Sequence, residues 1–124
     1  TGRLVKKLSN SNLDNIFQVD YRAGVVATAG QDRKMIVYNL KKNSSYFVKS
    51  TFLVYAVGIS PDGSKVAYSS DEDNIISLYD NSTTRLMESF SGTKMIPSKI
   101  LFVNENEFLV ASDDKVINLY NVKK

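Results

Sequence analysis

The sequence predicts an all-β chain built from repeated four-stranded units, and three observations carry that expectation. YNLKK at 38–42 returns as YDNST at 79–83 and as YNVKK at 120–124, so Tyr38, Tyr79 and Tyr120 stand 41 residues apart each time. An Asp lies six residues before each of them (Asp32, Asp73 and Asp114), followed by alternating polar and apolar letters. No segment sustains the apolar period of an amphipathic helix.

A period in the 40s marks stacked supersecondary units, most often propeller blades of four strands. RLVKKL at 3–8 matches RLMESF at 85–90 at twice the 41-residue offset, so residues 1–9 read as the outer strand of a preceding blade. The first blade, 10–52, carries strands at about 16–21, 24–30, 34–40 and 45–52. The second, 53–92, has them at about 54–60, 65–70, 75–80 and 84–90. The third, 93–124, shows 98–103, 107–112 and 115–122 and lacks its outer strand. All belong to one propeller domain. Alternation marks half-buried strands, and short apolar runs mark strands covered on both faces. Ser60-Pro61-Asp62-Gly63 is a strong turn signal, and Asn104-Glu105-Asn106 takes its place one unit later. Phe17, Val19, Val57, Ile59, Ile100 and Phe102 are expected to be buried between blades, on the first strand of each.

Composition narrows the chemistry. The 124 residues contain no His and no Cys, which removes disulfides, thiolate and imidazole metal sites, and Ser-His or Cys-His nucleophiles. Ser112-Asp113-Asp114-Lys115 and Ser91-Gly92-Thr93-Lys94 match S-x-x-K, but both fall in turns between strands. Asp71-Glu72-Asp73-Asn74 lacks the central Gly and terminal Glu of a calcium loop and reads as a turn. No glycine-rich phosphate loop is present. The expectation is therefore a protein that is not an enzyme, with no cofactor, no metal and no small-molecule substrate. No apolar run approaches the length that spans a bilayer, so no membrane is expected as partner. The first residues, TGRLVKKLSN, have neither an initiator Met nor a signal-peptide core, and the chain reads as a piece of a longer one. The absence of Cys favours a reducing compartment, cytoplasm or nucleus. The sequons at Asn43 and Asn81 are about what chance supplies in a chain rich in Asn, Ser and Thr. A net charge of +3 is mildly basic, well short of a dedicated nucleic-acid binder.

The stretch VGISPDGSKVAYSSDEDNIISLYD (57–80) resembles a WD40 repeat, with Tyr79-Asp80 at the Trp-Asp position and Tyr38-Asn39 and Tyr120-Asn121 in its place on either side. The resemblance covers essentially the whole chain. It implies a WD40-type β-propeller segment of antiparallel blades. The family's Gly-His dipeptide is missing. Counted back from Val19, Ile59 and Phe102, the His positions fall on Asn10, Ser50 and Thr93. In the family that His, a strand-b Ser or Thr, the Asp and the Trp form a buried hydrogen-bonded tetrad. Thr28 and Ser69 stand for the strand-b member here, while the third repeat has Val110.

Propellers close with four to eight blades, so three imply either further blades outside this segment or a second copy forming a six-bladed ring. The first is the favoured expectation, and a different all-β fold is the remaining alternative. The resemblance also implies a scaffold subunit of a multiprotein complex, because the rim carrying the b–c and d–a connections is the family's usual partner face. On that rim fall Leu13, Leu53 and Ile96, with Gln31, Glu72 and Asp113 just before each Asp, and Arg33, Lys34 and Lys115 beside them. An apolar ring inside a polar rim suits protein recognition. The plain alternative is that the three apolar residues tuck between blades. The opposite edge carries Lys41-Lys42 and Lys123-Lys124, at matching positions in the c–d turns. These could contact RNA or DNA in a processing or chromatin assembly, or could simply be solvated turn charges.

Overall fold

The computed structural model describes residues 16–30, 32–50, 54–69, 75–91, 96–112 and 115–122. They form three antiparallel sheets of consecutive strands, and no helix occurs among the described residues. The first contains β1 (Ile16–Arg22), β2 (Val25–Gly30), β3 (Lys34–Asn39) and β4 (Ser44–Lys49). The second contains β5 (Val57–Ile59), β6 (Lys65–Ser69), β7 (Ile76–Asp80) and β8 (Arg85–Phe90). The third has β9 (Pro97–Asn104), β10 (Glu107–Ser112) and β11 (Ile117–Asn121). The strands lie close to where alternation placed them, because burial itself alternates along them, as in the buried–half-buried pattern of β10.

The recurrent Tyr is the next-to-last residue of β3, of β7 and of β11. Ladder pairing places each in one cross-sheet row: Tyr21–Val26–Tyr38–Ser45, Ile59–Val66–Tyr79–Leu86 and Phe102–Phe108–Tyr120. The residue that follows builds the turn. Asn39 Oδ1 accepts from the Lys42 N–H, and Asp80 Oδ1 accepts from the N–H groups of Ser82 and Thr83. One residue further on, a backbone N–H donates to the preceding a–b turn in all three blades: Leu40 to Gly24 O, Asn81 to Ser64 O and Val122 to Asn106 O. The sequence repeat is therefore a hydrogen-bonding repeat that ties two turns of each blade together.

These rows correct one expected equivalence. Val19 does not match Ile59 and Phe102; Tyr21 does, and Val19 matches Val57 and Ile100. The reason is the first turn. β1 and β2 are joined by only Ala23 and Gly24, both at positive φ as a type I′ hairpin requires, whereas β5 and β6 are joined by residues 60–64. The strand-b equivalence shifts likewise. Thr28 matches Tyr68 and Val110, while Ser69 lies one row over, where its Oγ accepts from the Tyr55 N–H at 2.9 Å.

Two apolar layers hold the blades together. Val25, Ala27, Ala29, Met35 and Val37 of the first blade pack on Val57, Ile59, Val66 and Tyr68 of the second. Ala56, Ala67, Ile76, Leu78 and Phe90 of the second pack on Ile100, Phe102, Phe108 and Val110 of the third. Each layer mixes small residues such as Ala27, Ala29, Ala56 and Ala67 with large ones such as Met35, Ile76, Leu78 and Phe102. Phe90, Phe108 and Tyr120 form an aromatic cluster in the second layer, with ring centroids 5.2–5.4 Å apart.

Val57, Ile59, Ile100 and Phe102 are buried as expected, but Phe17 and Val19 are not; they are 42% and 59% exposed. Val19 points to the face of the first blade that looks away from the second, and Phe17 instead stacks on Tyr55 at 5.0 Å. At the other end, Leu101, Ile117 and Leu119 are exposed on the far face of the third blade.

Candidate protein-interaction surface

Antiparallel order sends the b–c connections to one end of the sheets and the a–b and c–d turns to the other. At the b–c end, Arg33 follows Asp32 with φ 66° and Lys115 follows the third Asp position with φ 68°, 82 residues further on. A left-handed non-glycine residue costs roughly 1–2 kcal/mol. Its recurrence at one repeat position, each time with a long cation, shows that both turns share one backbone shape. Arg33 N donates to Gly30 O and Lys115 N to Ser112 O, closing each turn. Lys34 is half-buried and holds its ammonium 4.9 Å from the centre of the Phe47 ring. Ile96, ahead of β9, is half-buried. Leu13, Leu53, Gln31, Glu72, Asp73, Asp113 and Asp114 lie outside the described residues.

At the opposite end, Lys41 and Lys42 are exposed in the turn between β3 and β4, while Lys123 and Lys124 lie outside the described residues. Lys42 borders a cleft of about 370 Å³ between the first and second blades, with Ser44, Tyr46, Asp62, Ser64, Asn81 and Ser82 on its walls. The cleft is crossed by a polar link: Tyr46 Oη donates to Asn81 Oδ1 at 2.6 Å, and Asn81 Nδ2 donates to Gly63 O at 3.0 Å. Burial, reinforced by the nearby Asp80 charge, pushes the Tyr46 phenol up to about 12.

Carboxylates share this edge. The Ser64 hydroxyl holds Asp62 well below the usual carboxylate range, helped by the Ser64 N–H. Hydrogen bonds from Ser82, hydroxyl first and then N–H, lower Asp80. Glu105 reaches across from the third blade to accept from the Asp62 N–H at 2.9 Å and stands 3.7 Å from Lys65 Nζ. Of the lysines that looked basic in sequence, Lys42 thus shares its cleft with the Asp62 carboxylate.

Sequence reasoning missed a third group. Gln18, Asp20 and Arg22 on β1 reach inward to the first strands of the other two blades. Alternating polar letters on a strand look the same whether they meet water or protein, so only position reveals them.

No family profile matches this chain, and no curated protein matches it by sequence. Solved structures do match. The structure of U3-55K superposes with a TM-score of 0.80 at 16% identity, covering 91% of this chain and 38% of that one. The crystal structure of RRP9 WD40 repeats gives 0.79 at 16% identity, covering 91% and 37%. The fold is that of a WD40 propeller segment. The described residues form three blades, and the chain spans less than two-fifths of each matched structure. At this identity the likeness concerns fold alone.

Proposed function

We propose that these WD40 blades act as a non-enzymatic protein-interaction scaffold, part of a larger propeller within a multiprotein complex of the cytoplasm or nucleus. The observation that carries the reading is the matched pair Arg33 and Lys115. Two turns hold the same unfavourable backbone geometry to present a cation at one rim. Around them the sequence places Leu13, Leu53 and Ile96 as apolar anchors and Gln31, Lys34, Glu72 and Asp113 as a polar border. Apolar anchors ringed by charge give affinity at the centre and orientation at the edge. Asp32, Asp73 and Asp114, with Tyr38, Tyr79 and Tyr120, serve the framework rather than the partner. Contact with RNA or DNA through Lys41, Lys42, Lys123 and Lys124 is the weaker reading, since Asp62 lines the same cleft as Lys42.

Partner capture with two sets of variants separates these readings. Asp substitutions at Leu13, Leu53 and Ile96 should abolish association and leave the fold intact, with little dependence on salt. Ala at the four lysines should leave most binding in place. The converse pattern, with affinity falling steeply as salt rises, would replace the scaffold with a nucleic-acid binder.

A further inference from the structure

We propose that Gln18, Asp20 and Arg22 form an axial clasp that locks the three blades at one curvature. Successive side chains alternate sides along a strand, so residues 18, 20 and 22 project the same way at about 6–7 Å intervals. Alternate backbone groups on a neighbouring parallel strand repeat at that same interval. Gln18 Oε1 accepts from the Val57 N–H at 3.1 Å, and Asp20 Oδ2 accepts from the Ile59 N–H at 2.9 Å. Both pairs are 39 residues apart, which is the signature of strands running parallel in register. The same side chains go further. Gln18 Nε2 donates to Ser98 O at 2.9 Å and Arg22 Nη2 donates to Phe102 O at 3.3 Å, both pairs 80 residues apart. One strand of the first blade thus pairs through its side chains with the inner edges of both others.

The second blade is built to let them pass. The positions that match Gln18, Asp20 and Arg22 there are Ala56, Gly58 and Ser60, all small. In the third blade they are Lys99, Leu101 and Val103, on the exposed far side. Long polar residues on one blade and short ones on the next make a bridge that a regular repeat would block. The clasp also supports β5, only three residues long, whose inner N–H groups would otherwise lack acceptors in a part-buried setting.

Two measurements on the whole chain test this. Amide hydrogen exchange of the Gln18→Ala/Asp20→Ala variant should speed up roughly 5- to 10-fold at Val57 and Ile59, the worth of one hydrogen bond. The Ala67 and Tyr68 amides should stay as protected as in wild type. Asp20→Asn, which keeps an acceptor, should preserve protection at Ile59. Unchanged exchange at Val57 and Ile59, or Asp20→Asn behaving like Asp20→Ala, overturns the clasp. Gln18→Ala/Arg22→Met leaves the buried apolar layers intact and tests curvature directly. The chain has no Cys, so Ser45→Cys and Leu119→Cys can carry spin labels on the first and third blades. The label distance should be narrowly distributed in the parent and broader with the clasp removed; equal widths refute the proposal.

Discussion

Gly58 and Ile100 meet backbone to backbone across the second blade interface. A Cβ on Gly58 would stand 2.7 Å from the Ile100 carbonyl oxygen and 2.8 Å from its Cγ2. No side chain fits there, since the obstacle is a strand rather than a flexible tip. Gly58→Ala should lower stability by about 1–3 kcal/mol, the usual cost of overpacking, read as a lower denaturant midpoint. A variant as stable as wild type would show that β5 and β9 do not approach this closely.

Ile59 and Val19 make a contrasting pair. Ile59 is 1% exposed in the first apolar layer, so Ile59→Ala should cost about 2–5 kcal/mol. Val19→Ala, at an exposed site, should stay within about 0.5 kcal/mol. Equal losses in denaturant titrations would mean that the far face of the first blade is covered as tightly as its near face.

Thr84 offers a gain. It sits at φ 57° in the turn between β7 and β8, at the repeat position of Asn43, φ 53°. A β-branched residue is strained in the left-handed region, and Asn tolerates it. Thr84→Gly should raise the thermal midpoint, by about 1 kcal/mol of stability, while Asn43→Gly should change little. A lower midpoint for Thr84→Gly would contradict the strain.

Tyr46 sets an alkaline limit. Its phenol is neutral and donates to Asn81, and its folded pKa is raised to about 12 from an ordinary 10.0. A raised pKa contributes stability that is complete below the unfolded value and is lost as pH climbs through the folded one. Denaturation midpoints should therefore hold to about pH 10 and fall between 10 and 12, with the late phenolate absorbance rise smaller by one tyrosine in Tyr46→Phe. Tyr68, also raised by burial, acts in the same direction, so the slope should be reduced in that variant rather than abolished.

The strands, the turns and the 41-residue repeat were legible from the letters alone, and the physical reason is local. A strand with one face on a core must alternate, and a turn with positive φ or a capping side chain restricts residue type. That is why Tyr38, Tyr79 and Tyr120 announced the blade edges, and why Asn39 and Asp80 recur behind them. Tertiary structure decided what depends on distance across blades. The matching of Tyr21, rather than Val19, to Ile59 follows from how a two-residue turn and a longer one bring strands into register. The exposure of Phe17 and Val19 follows from which face meets a neighbouring blade, and the setting of Lys42 from Asp62 folded across the same cleft. Gln18, Asp20 and Arg22 spell the same alternation as a solvated strand face; they meet Val57, Ile59, Ser98 and Phe102 because the first strands of three blades lie side by side, a relation that exists only once the blades have packed on one another.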